Sequence, residues 1–80
     1  MPVTLKKIAS TVDARGLDCP LPLLKAKQAL NAVDSGEQIE VLATDQGSWR
    51  DIKVFAEQSG HLLLDAQSDD GTYRYRLQKK

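Results

Sequence analysis

The residue in this chain best suited to chemistry is Cys19, which is followed by Pro20 and, two positions later, Pro22. A cysteine thiolate attacks sulfur readily, and its reactivity depends on how far the surroundings favour the anion over the thiol. Prolines at such spacing fit the first turn of a helix, where the missing N–H groups have no intrahelical partner to lose. Cys19 therefore stands at or next to a helix start, where unpaired N–H groups and the helix dipole favour thiolate. The adjacent Asp18 carboxylate pulls the other way, and residue types alone leave both outcomes open. The plainer reading of a free cysteine is a small buried apolar side chain.

Cys19 is the single cysteine and His61 the single histidine. No internal disulfide can form, so a thiol oxidoreductase that needs a resolving cysteine is disfavoured. A self-contained Cys/His metal site lacks ligands, and neither metal nor cofactor is expected. Further along, Asp45, Trp49 and Arg50 fall in and just after a loop. Arg50 has the charge to attract an anionic sulfur or steer a partner. Trp49 suits an interface anchor if exposed and a core position otherwise. Ser48 with Asp51 three residues later matches an N-terminal capping arrangement, which gives Asp51 a structural role.

The elements that must position these groups follow from hydrophobic period. Ile8, Val12 and Ala14 share one parity, a strand with one buried face. Gly16 then permits a turn. Leu23, Ala26, Leu30 and Val33 recur at steps of three and four, which predicts a helix over Pro20–Val33 with Gly36 as its stop. Ile39, Val41 and Ala43 mark a second strand. Ile52, Phe55 and Ala56 mark a second helix ending at Gly60. Leu62, Leu64 and Ala66, the Asp70-Gly71 turn, and Tyr73, Tyr75 and Leu77 read as a hairpin. The order is βαβαββ, an α+β two-layer open-faced sandwich with both helices on one face of the sheet.

This order decides which residues meet. Right-handed crossovers make the first three strands parallel, so residues 15–22, 44–50 and 68–71 gather at one sheet edge, where ligand chemistry in such folds concentrates. His61 begins the third strand and belongs at the opposite edge. A Cys–His nucleophile pair is disfavoured on that ground.

Composition bounds the function class. A chain of 80 residues fits one domain, 1–80, and buries roughly 60% of its unfolded surface. With 11 basic and 11 acidic side chains the net charge is zero, which removes the usual electrostatic case for direct nucleic-acid or membrane binding. Residues 1–10 hold two lysines and no apolar run long enough for a leader. A reducing, cytoplasmic location follows as the expectation.

The segment Asp13-Ala14-Arg15-Gly16-Leu17-Asp18-Cys19-Pro20-Leu21-Pro22 resembles the signature of the TusA (SirA-like) family, a D-x-x-G-x-x-C-P-x-P run between first strand and first helix. Asp45, Arg50-Asp51-Ile52, Phe55, Gly60-His61 and Tyr73-Arg74-Tyr75 are also similar to that family, so the likeness spans nearly the whole chain. It implies a mixed sheet in strand order 1-2-4-3. It further implies that Cys19 accepts sulfane sulfur, as a persulfide, from a cysteine desulfurase or rhodanese-type donor and passes it to a downstream acceptor protein. In the best-known branch that relay ends in 2-thiouridine in tRNA; other branches serve sulfur oxidation, molybdenum-cofactor synthesis or selenium metabolism. Gly16, Asp18, Pro20 and Pro22 would then shape the site, and Asp45, Trp49 and Arg50 would meet partners. Leu21, Asp18 and Gln46 depart from the tRNA-thiolation pattern, which often has glutamate, a basic residue and proline there; they bear on which acceptor is served. The alternative is a non-catalytic module that binds RNA or protein through Arg74 and Arg76, with Cys19 incidental.

Overall fold

A computed structural model describes residues 8–80. The expectation that the chain lacks a leader rests mostly on residues 1–7, which lie outside them. The elements are β1 (Ile8–Ala14), α1 (Leu21–Asn31), β2 (Gln38–Ala43), α2 (Gly47–Ser59), β3 (Leu62–Asp69) and β4 (Thr72–Gln78). The sheet order is β1-β2-β4-β3. β1 and β2 run parallel, and β4 runs antiparallel to both β2 and β3. The α+β sandwich and its mixed sheet are as the periodicity and the resemblance imply.

The core lies between one sheet face and the helices. Ile39, Val41 and Ala43 of β2, with Tyr75 and Leu77 of β4, are fully buried, and Ala26, Leu30, Ile52 and Ala56 cover them from the helices. The small Ala26 and Ala56 let each helix approach the sheet closely. Each large apolar side chain so buried stabilises the fold by roughly 1.5–3 kcal/mol. α1 packs on β1 and β2, α2 on β3 and β4, and the helices touch each other.

Three local expectations change. α1 is shorter than Pro20–Val33: Pro20 sits at the N-cap, and the Ala32 and Val33 N–H groups close tight turns onto Ala29 O and Leu30 O. Gly36 instead donates its N–H to Lys79 O at 2.8 Å. In β3 the register shifts between Leu63 and Asp65. A bulge there inverts the alternation, so Leu63 and Ala66 pack on the core while Leu62 and Leu64 are exposed. The Asp70-Gly71 turn forms as read, both residues having positive φ (51° and 83°), the geometry of a type I′ hairpin.

Candidate functional site

Cys19 lies beyond the end of β1, exposed, in the loop leading to α1. Gly16, at φ 82°, turns the chain out of the strand. Its N–H donates to Thr44 Oγ1 at 2.9 Å, which ties this loop to the end of β2. The exposed Asp18 accepts the Leu21 N–H on its carbonyl at 2.8 Å, and Pro20 accepts the Leu24 N–H at 3.1 Å. Pro22 is fully buried. One proline thus starts the helix at the surface and the other anchors it in the core.

Across from this loop stands the start of α2. Asp51, in its second turn, accepts the Cys19 Sγ–H on Oδ2 at 2.9 Å. Asp45, in the loop after β2, has a buried Oδ2 that no hydrogen-bond donor among the described residues reaches. Gly47 lies between these groups. A Cβ there would stand 2.8 Å from Asp45 Oδ2, 3.5 Å from Cys19 Cβ and 3.7 Å from Sγ. Glycine is therefore what lets this loop close on the thiol.

Ser48 does not act with Asp51 as a capping pair, and α2 has no side-chain cap hydrogen bond. The buried Ser48 Oγ donates to Asp45 O at 2.7 Å and lies 2.7 Å from Tyr75 Oη. A hydroxyl has one hydrogen to give, so Tyr75 donates to Ser48. Burial pushes the Tyr75 phenol up, keeping that proton in place. The chain Tyr75 to Ser48 to Asp45 O pins the loop to the sheet and leaves the Asp51 carboxylate for the thiol.

The electrostatics run against a thiolate. The hydrogen bond to Asp51 raises the Cys19 pKa above the ordinary thiol value, and desolvation and the charges of Asp51 and Asp45 add to it. The expected help from the helix start is weak for a structural reason. Pro20 and Pro22 carry no N–H, and the Leu21 N–H is taken by Asp18 O. The surroundings of Cys19 favour thiol over thiolate.

Other candidates fall into place around this centre. Arg50 is exposed and lines a groove between the helices with Leu23, Asp51, Val54 and Phe55. Trp49 is half-buried over β4, with ring centroids 5.7 Å from Tyr73 and 6.1 Å from Tyr75. Lys53 Nζ sits 3.8 Å above its ring. Two positions on a helix are about 200° apart, so with Asp51 turned toward Cys19, Trp49 faces away from it. His61 stands one residue before β3, at the other end of the sheet, where burial and the nearby Lys80 and Lys79 charges lower its pKa. Among the described residues no group of three His, Cys, Asp or Glu side chains could hold a metal ion. Nor is any helix long and apolar enough to cross a membrane.

Sequence reasoning placed Asp51 in a cap and gave Gly47 no role, yet both flank the sulfur. The sheet-edge argument stopped at residue 50. Carrying it one helical turn past Gly47 reaches Asp51 on the same face.

The family model described as "Sulfurtransferase TusA" matches residues 10–79. A sulfur carrier protein TusA of Allochromatium vinosum is 44% identical over 68 residues, covering 85% of this chain and 90% of that one. A putative sulfur carrier protein of Neisseria meningitidis is 46% identical over 72 residues, covering 90% and 97%. In structure, a SirA-like protein from Desulfitobacterium hafniense superposes with a TM-score of 0.76 at 28% identity, covering 86% of this chain and 95% of that one. The family match over residues 10–79, with relatives at 44% and 46% identity over most of the chain, places the chain in the TusA family of sulfur carrier proteins.

Proposed function

We propose that the protein carries sulfane sulfur as a persulfide on Cys19, loaded by a cysteine desulfurase or rhodanese-type donor and delivered to an acceptor protein in a cytoplasmic relay. The observation that carries this reading is the exposure of a lone thiol at a sheet edge where two loops and the starts of both helices converge. Persulfide transfer is thiol exchange: a cysteine sulfur attacks the terminal sulfur of a donor persulfide, and the donor thiol leaves. Having no second cysteine, the chain cannot discharge its cargo by closing an internal disulfide. Delivery then awaits a partner's thiol.

Gly16, Asp18, Pro20 and Pro22 shape the loop that presents the sulfur. Asp45 and Arg50 face partners beside it, and Trp49 extends the contact surface on the far side of α2. The chain's zero net charge supports protein rather than nucleic acid as direct acceptor, with tRNA 2-thiolation one destination for the sulfur. The test is transfer of label from radiolabelled cysteine in the presence of a cysteine desulfurase. Label should stay on the chain on a non-reducing gel, leave with a thiol reductant and be absent from Cys19→Ser. Equal labelling of Cys19→Ser would overturn the reading.

A further inference from the structure

We propose that Asp51 is a catalytic residue of sulfur transfer, taking the Cys19 thiol proton as Sγ attacks the donor and returning it to the donor thiolate that leaves. The inference rests on the persulfide-carrier reading of Cys19. It starts from one contact, the Sγ–H to Oδ2 hydrogen bond of 2.9 Å.

Among the described residues Asp51 makes no other side-chain hydrogen bond or ion pair. Ser48 holds the loop through Asp45 O and Tyr75, and α2 takes no side-chain cap. Among the described residues the Cys19 thiol donates to Asp51 and not to the neighbouring Asp45, His61 lies at the far end of the sheet, and Arg50 can only donate. The start of α1 offers little to offset charge on the sulfur, because its prolines have no N–H and Leu21 is bonded to Asp18 O. Asp45 adds negative charge close by. The thiol consequently ionises poorly by itself, and a base in contact with it removes the need for prior ionisation.

The step balances. The Cys19 S–H proton moves to Asp51 Oδ2, and the Sγ electron pair forms a bond to the terminal sulfur of the donor hydropersulfide. The donor's S–S bond breaks, its electron pair stays on the donor cysteine sulfur, and that thiolate takes the proton from Asp51. Cys19 is oxidised from thiol to hydropersulfide as the donor is reduced from hydropersulfide to thiol, with no outside oxidant. Delivery runs the same step in reverse, Asp51 protonating Cys19 as it leaves.

The test compares wild type with Asp51→Asn and Asp51→Glu in two assays at neutral pH: alkylation of Cys19 by a small reagent, and loading from a persulfidated desulfurase. Asparagine preserves shape and removes the base. Alkylation of Asp51→Asn should rise several-fold, because the carboxylate that suppresses the thiolate is gone, while loading falls by about 10²-fold, within the usual worth of a positioned base. Asp51→Glu, with a carboxylate on a longer arm, should recover part of the loading. Loading of Asp51→Asn at or above the wild-type rate would overturn the proposal and reduce Asp51 to a suppressor of ionisation. Equal loss in the Asn and Glu variants would overturn it too. If wild type itself takes no sulfur, the carrier reading has failed, an outcome visible without either variant.

Discussion

Cys19 is held as a thiol by its neighbours, and this sets how it should behave alone in solution. Its proton is shared with Asp51 at 2.9 Å, and that contact raises its pKa above the ordinary thiol range. The rate of alkylation against pH should therefore have its midpoint above that of a free cysteine; a midpoint below it would contradict the geometry. Because the folded state holds this proton more tightly than the unfolded chain, the linked stability is present at low pH and lost as pH rises through the raised value. Asp13 shows the opposite sign. The Arg15 guanidinium hydrogen-bonds its carboxyl and holds the pKa at about 2. Its linked stability is present above the ordinary carboxylate value and disappears as pH falls toward 2. Carbon-detected titration should show Asp13 moving back toward the ordinary value in Arg15→Ala. At this scale the sequence made Cys19 legible through its prolines. Asp51 was not, because a serine three residues upstream matched a local capping pattern. Local patterns are blind to Tyr75, which is far along the chain and claims that serine.

The elements hold the site by fixing the loop between β2 and α2. Tyr75 Oη and Ser48 Oγ form a buried pair 2.7 Å apart that fastens the loop to β4. Tyr75→Phe should cost about 1 kcal/mol, measured by denaturant unfolding, and should loosen Asp45 next to the thiol. Gly47→Ala is the sharper probe. The added methyl would meet Asp45 Oδ2 at 2.8 Å, so the buried carboxylate must move and Cys19 alkylation should change while the unfolding midpoint shifts little. An unchanged alkylation profile would mean that Asp45 is not held against the thiol. Helix and strand placement was readable wherever the burial period ran unbroken, as in Ile39, Val41 and Ala43. In β3 the strand was placed but its buried face was not, because three leucines in a row, Leu62 to Leu64, offer no polar residue to mark the phase. The bulge then exposes two of them.

At the scale of the molecule, connectivity does the positioning. Two crossovers send β1, β2 and β3 the same way and bring their C-terminal ends to one edge, which is why residues 28 and 32 apart, as Gly16 with Thr44 and Cys19 with Asp51, can touch. That convergence was legible from element order alone, because crossover handedness leaves few alternatives. The opposite face of the sheet carries exposed Arg74 and Arg76. Reversing both charges should leave sulfur loading within about two-fold, since surface charges remote from a reacting centre contribute little. A severe loss would favour the binding-module alternative. The most direct measurement is the intact mass of the chain after incubation with a cysteine desulfurase and cysteine, alongside Cys19→Ser. The account predicts a gain of one sulfur atom that a reductant removes and that the variant never acquires. No gain with desulfurase or rhodanese-type donors, or the same gain in Cys19→Ser, would contradict it.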